Sequence, residues 1–156
     1  MEISLHTINK QDFSLIVKWH KDHAAINFPD SEYKPKLFLI SLEEQFNRIG
    51  EGEKAAMWII KFQEQQIGFL WLKLIFDIYK DYHYCDLHYI HLILEFRGQG
   101  YGQVLLKIVD NWAKDNGAKE IRLGASFANK QAMRSYRNAG YKIKRVLMEK
   151  KLITCG

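Results

Sequence analysis

Ile90-His91-Leu92-Ile93-Leu94-Glu95-Phe96-Arg97-Gly98-Gln99-Gly100-Tyr101-Gly102-Gln103 is the stretch on which the fold turns. It opens as an apolar run, residues 90–94, and then places glycine at every second position from Gly98 to Gly102. Beyond it Val104, Leu105, Ile108, Val109 and Trp112 recur at helical spacing until Asn116-Gly117. That succession predicts strand, glycine-rich turn, helix. Without a Cβ, the chain can turn tightly and lie close against a ligand. A turn of this kind gathers unpaired amide N–H groups and the positive end of the helix dipole at one point, which is how an anion, most often phosphate, is held. No acidic side chain occupies the first helical turn, where Gln103 stands, and Arg97 adds positive charge. Alternating glycines alone also suit a plain strand-to-helix connection, so the surroundings decide.

Outward from the turn, residues 84–94 form a long strand, apolar on both faces and therefore expected to be central. Upstream, residues 55–62 and 67–76 read as an antiparallel hairpin joined by the polar turn 63–66. Residues 2–8 alternate as a first strand. Asp12 is placed to cap a helix that carries Phe13, Ile16, Val17 and Trp19 and runs to about Ala25. Residues 27–36 hold both prolines, Pro29 and Pro35, with Phe28 and Tyr33, a loop of the sort that shapes a substrate mouth. Ser41 and Glu44 match a capping box for a second helix ending near Gly50. Downstream, Ile121 and Leu123 belong to a short strand closing at Gly124. Asn129 caps a last helix burying Ala132, Met133, Tyr136 and Ala139, with Gly140 as terminator, and residues 141–152 close the chain as strand. The order predicts an α/β (α+β) fold: a mixed, mostly antiparallel central sheet flanked by helices, with one parallel βαβ unit over residues 84–123.

With 156 residues, no internal repeat and no linker, the chain is expected to be one domain, 1–156. Hydrophobic content of 47% and charged content of 26% fit a water-soluble globule. The start lacks the basic and apolar segments of a signal peptide, and the longest greasy run, residues 67–76, is far short of the ~20 residues of a membrane span. Two cysteines, Cys85 and Cys155, make no disulfide framework and suit a reducing cytoplasm. The net charge of +5 is scattered, which favours a solvated face over a nucleic-acid surface. No metal site is expected.

Residues 97–102 resemble the acetyl-CoA pyrophosphate motif of the GNAT superfamily of N-acetyltransferases, an Arg or Gln followed by two residues, Gly, one residue and Gly or Ala. Asn129, Ala132, Tyr136, Gly140 and Tyr141 fall at the spacing of that superfamily's second motif, and the pair is more specific than either alone. The resemblance covers about residues 87–152. Leu94 stands where a proline is common, and after Tyr141 the chain is short for two closing strands, so the final hairpin is expected to be merged or reduced. The resemblance implies the GNAT acyl-CoA N-acyltransferase fold, with a sheet splayed beside the strand ending at Leu94. It implies acetyl-CoA as cosubstrate, held by Leu92, Ile93, Leu94, Arg97, Gly98, Gln99, Gly100, Tyr101, Gly102 and Asn129. Arg134 or Arg137 is expected to reach its 3′-phosphate.

Attack by a neutral amine on a thioester calls for a base, and the departing thiolate for an acid. Asp86 and His88 alternate on one strand and so share a face. His88, with an ordinary pKa of ~6.5, suits the base, and Asp86 suits a supporting or alternative role. His91 is expected on the opposite face. Tyr136 stands where the family usually keeps its general acid. The expected function is direct transfer of acetyl to a primary amine, on a small molecule or a protein, by a monomer or homodimer. Phe28, Asp30, Glu32, Tyr33, Tyr79 and Tyr82 suit a cationic acceptor. The alternative is a non-catalytic acetyl-CoA sensor; a nicotinamide-binding domain is disfavoured because its glycine turn normally follows the first strand.

Overall fold

The computed structural model describes residues 2–153, so Cys155 lies outside the described residues. Ile3–Thr7 (β1) leads to a 3-10 turn, Lys10–Asp12, that continues into Phe13–Asn27 (α1). Asn9 opens this unit: its side chain accepts from the Gln11 amide at 2.9 Å, while the Asp12 carboxylate accepts from the Asn9 amide at 2.9 Å. Asp12 is therefore the returning half of a capping box rather than the cap of α1. Pro35–Gly50 (α2) starts ahead of the predicted Ser41. Proline is preset for the first helical position and has no N–H to leave unpaired there, so the Ser41 and Glu44 pattern falls inside the helix.

Ala55–Phe62 (β2), Gln65–Asp77 (β3) and Tyr82–Leu92 (β4) continue the sheet as an antiparallel meander. Tyr101–Asp115 (α3) crosses over to Ile121–Arg122 (β5), which runs parallel to β4, and Lys130–Asn138 (α4) follows. The sheet order β1-β2-β3-β4-β5 is the mixed, mostly antiparallel architecture the sequence predicts. Its middle strand is β3 rather than residues 84–94, and β3 is the strand buried most continuously on both faces. On one face α1 and α2 pack Ile16, Trp19 and Leu42 against Ile59, Phe69 and Trp71. On the other α3 packs Leu105, Leu106 and Val109 against Ile60, Leu70 and Leu72, with Tyr136 of α4 and Ala139 just past its end at the margin. Full burial of one such Leu or Ile contributes ~1.5–3 kcal/mol.

Two irregularities position the site. Trp71 pairs with Tyr89 and Leu72 with Leu87, which leaves His88 as an extra residue in β4. Such a bulge resets the in-out alternation. His88 lies against Trp71, Tyr89 against His23 and His91 against Trp19, so all three share the α1/α2 face. The expectation that His91 faces away from His88 is thereby corrected. The second irregularity is the brevity of β5, which pairs with β4 only at Cys85–Ile121 and Asp86–Arg122 and stops short of the predicted Gly124. Beyond that point the edge of β4 turned away from β3 has no ladder partner among the described residues.

The strand predicted for residues 141–152 does not form. The segment is irregular and exposed, with Val146, Leu147, Met148 and Leu152 outside the core. A strand needs a neighbour to pair its amides, and two-residue β5 offers too little edge to extend. β4 likewise ends at Leu92, short of Leu94. The Ile93 amide still donates to the Ile67 carbonyl at 2.8 Å, and Leu94–Phe96 then curl into a 3-10 turn.

Candidate active site

The glycine turn joins β4 to α3. Gly98 and Gly100 adopt left-handed backbone, φ +72° and +90°, which an L side chain resists, and Gly100 is the N-cap of α3. Among the described residues no backbone or side-chain acceptor takes the amides of residues 98–103. These N–H groups converge with the α3 dipole, and no acidic side chain in the first turn offsets them. The open space around Gly100 and Gly102, where an added Cβ would meet nothing within 4 Å, leaves the cradle accessible. Such a set matches the donor requirements of a pyrophosphate.

Arg97 does not reach outward. Its Nε donates to the Leu92 carbonyl at 2.6 Å, so it ties off the end of β4, and Gln99 Nε2 donates to the Glu95 carbonyl at 2.5 Å. Of the predicted edge residues, Leu92 lies at the strand end, the Ile93 amide is taken by β3, and the Leu94 carbonyl accepts from the Arg97 amide at 3.1 Å. α4 is tied to the turn by Gln103 Nε2, which donates to the Ser135 carbonyl at 3.0 Å. Asn129 caps α4 by accepting from the Ala132 amide at 3.2 Å. On the outer side of α4 lies a groove of about 330 Å³ lined by Phe127, Lys130, Met133, Arg134 and Arg137.

Tyr136 packs into the margin of the α3-side core with its ring 5.8 Å from that of Tyr141. Burial pushes its phenol up to about 12, so the proton stays on oxygen at any working pH. Asp86 and His88 do come together: His88 Nδ1 is 3.1 Å from Asp86 Oδ2, and the His88 ring rests edge-on against Trp71 at 4.3 Å. This pair stands on the α1/α2 face and Tyr136 on the α3/α4 side, so both can serve one reactant only across the open edge of β4.

Residues 15–141 match the model of the acetyltransferase (GNAT) family. The chain belongs to that family. Similar solved structures include a proposed acetyl transferase from Pyrococcus furiosus, 22% identical with a TM-score of 0.74, the match covering 97% of this chain and 100% of that one. A proposed acetyltransferase from Clostridium acetobutylicum, solved with acetyl-CoA, is 17% identical with a TM-score of 0.76 over 97% of each chain. The ribosomal-protein-alanine N-acetyltransferase of Brucella melitensis is 9% identical with a TM-score of 0.71, covering 97% of this chain and 100% of that one. At these identities the likeness is one of fold: a GNAT sheet flanked by helices.

The GNAT fold here brings together a group that sequence reasoning missed. His20 and His23, one turn apart on α1, meet Tyr89 and His91 of the bulged β4, with the His23 and Tyr89 ring centres 4.4 Å apart. The spacing of His20 and His23 was a legible sign of a shared helix face, but the bulge that turns Tyr89 and His91 toward them leaves no mark in the sequence. Burial drives His20 and His91 down to about 4 and His23 to about 3. At neutral pH these imidazoles are uncharged. Tyr79 and Tyr82, expected near the acceptor, stand instead at the β3–β4 turn, where Tyr82 donates to Glu120 at 2.8 Å.

Proposed function

We propose that this GNAT protein is an acetyl-CoA-dependent N-acetyltransferase that passes acetyl directly to a primary amine within a ternary complex. The observation that carries the reading is the run of unpaired amides of residues 98–103 at the N-terminus of α3, beside the unpartnered edge of β4. The amides and the α3 dipole would hold the pyrophosphate. Lys130, Arg134 and Arg137 in the outer groove supply the charge a 3′-phosphate needs, and Phe127 an apolar face for the base. Free backbone groups along the open edge of β4, between the bulge and Leu92, whose carbonyl Arg97 already takes, would bond the pantetheine arm. When bound, acetyl-CoA supplies an activated acyl carbon with a thiolate leaving group.

The chain's own residues divide the proton work. Asp86, accepting from His88 Nδ1, would fix the imidazole tautomer that leaves Nε2 free to take a proton from the amine. Tyr136, a phenol that keeps its proton at neutral pH, would release it to the departing sulfur as negative charge develops there. The test measures acetyl-CoA binding by calorimetry and free-thiol release across a broad panel of amines. Micromolar binding with amine-dependent release is expected. Binding with no release from any amine would make the protein a sensor, and absence of binding would remove the reading altogether.

A further inference from the structure

The register of the β3–β4 ladder steps past His88, because Trp71 pairs with Tyr89 and Leu72 with Leu87. A bulged residue is held less by its ladder than its neighbours are, so its side chain needs anchors of its own. Asp86 and Trp71 supply them. Asp86 Oδ2 lies 3.1 Å from His88 Nδ1, and the imidazole stands edge-on to the Trp71 ring with ring centres 4.3 Å apart. A single hydrogen bond fixes one nitrogen and leaves the ring free to swing about it. A broad flat side chain against the ring removes that freedom. The indole is itself held fast, 1% exposed and packed in the α1/α2-side core beside Phe69, whereas the His88 side chain is 38% exposed and open to a reactant.

Packing alone does not account for tryptophan at position 71. Its Nε1 is buried with no hydrogen-bond partner among the described residues, a cost that phenylalanine or leucine in the same core would not carry. What tryptophan adds is the ring face that attracts a cation best. We propose that Trp71 is a positioning residue for His88, holding the imidazole against Asp86 and favouring the imidazolium that forms when His88 takes the proton of the amine. The inference rests on the acetyltransferase reading above and adds a residue that acts through its base. In that step an amine N–H bond breaks and an N–H bond forms at His88 Nε2, while the electron pair left on the amine nitrogen goes into its new bond to the acyl carbon. Positive charge then arises beside the indole. Asp86 draws the same charge. Lys73, across the ladder from Asp86, has its Nζ 5.3 Å from the centre of the same indole ring and opposes it. Arg122, across from Asp86 on β5, is engaged with Asp77, Glu120 and the Tyr84 face. From α1, His20 and His23 lie against Tyr89, and burial keeps both uncharged at neutral pH.

Trp71→Phe keeps a smaller ring and Trp71→Leu none, and both keep the core position apolar. Thiol release from acetyl-CoA with the amine panel above, imidazole NMR of the resting protein across pH, and thermal unfolding are measured on the parent and on both variants, each also in a His88→Gln background. Trp71→Leu is expected to lower kcat by tenfold or more with the acetyl-CoA KM within twofold, and Trp71→Phe to recover most of that loss. The His88 resonance, identified by its disappearance in His88→Gln, should titrate ~0.5 pH unit lower in Trp71→Leu than in the parent. In the His88→Gln background Trp71→Leu should change kcat by less than threefold, because the group it positions is gone. A tryptophan that only fills the core would lower Tm, cost the same factor in kcat in both backgrounds and leave the His88 titration in place, and that result would overturn the proposal. Should Trp71→Leu fail to fold, Trp71→Phe carries the test with a smaller shift in the same direction, and no shift overturns it. Absence of thiol release from any amine in the parent would sink the acetyltransferase reading, and the His88 titration would then decide the pairing with Trp71 by itself.

Discussion

Tyr136 and Gly100 separate the two demands of the reaction, a proton and a place to bind. Tyr136→Phe keeps the ring packed at the core margin and removes only the hydroxyl, so kcat should fall by roughly 10²-fold with the acetyl-CoA KM nearly unchanged. An unaltered kcat across the pH range would show that another group protonates the leaving thiolate. Gly100→Val acts on the cradle. At φ +90° a β-branched residue is strained by ~1–2 kcal/mol, and its side chain would stand in the open space before the free amides. Calorimetry should show acetyl-CoA affinity reduced by about tenfold or more. Gly52→Ala is the control, because Gly52 has similar backbone, φ +101°, at an exposed turn after α2. A matching loss of affinity in the control would mean that global strain, and not the cradle, is being read.

Among the elements, the β3–β4 pair carries the geometry of the site, and at Gly68 the pairing leaves no room for a side chain. A Cβ there would sit 2.0 Å from the His91 carbonyl oxygen, a backbone atom that cannot swing aside. Gly68→Ala should therefore cost about 2 kcal/mol or more and lower Tm by roughly 4–8 °C in thermal unfolding. A variant with parental Tm would mean that the strands part there without penalty. This pair also marks the limit of what the sequence makes legible. Periodicity locates the strands and the glycine turn because hydrophobic spacing and backbone freedom are written in residue type. The bulge at His88 is not, since it arises from how β3 and β4 register, and so His91 is assigned to the wrong face until the strands are paired. The start of α2 is misread for a different reason. Ser41 and Glu44 form a chance match to a capping box, whereas Pro35 carries the true boundary signal. Residues 141–152 have the alternation of a strand, but alternation cannot supply a partner.

At the scale of the whole molecule, two sets of ionisable groups on different parts of the sheet give acid stability two separable phases. At the closed end of the β4–β5 wedge, Arg122 bonds Asp77 at 2.5 Å and Glu120 at 2.7 Å. The Arg122 hydrogen bonds, with Tyr82 assisting at Glu120, hold Asp77 below its usual range and Glu120 down to about 2. These carboxylates favour the fold above their ordinary pKa, and that contribution is lost only as pH falls toward the depressed values. On the α1/α2 face the sign is the same but the window is higher. His20 and His91, lowered to about 4 by burial, stay neutral in the folded chain while the unfolded chain takes up protons from ~6.5 downward. The unfolded state then binds more protons, so stability must decline between about pH 6.5 and 4. For one buried histidine such as His91 the slope approaches about 1.4 kcal/mol per pH unit. After burial itself, Arg97 and His20 reinforce the shift at His91, and His20, His91 and Arg97 act in the same direction at His23. Urea unfolding from pH 7.5 to 4.5 should show this loss well before the Arg122 network titrates. His91→Gln, which cannot take up a proton in either state, should make the curve less steep in that window, with His20 and His23 supplying the slope that remains. A parent curve level from pH 7 to 4.5 would mean that these imidazoles protonate as readily in the folded chain as in the unfolded one, and that burial on the α1/α2 face does not hold them neutral.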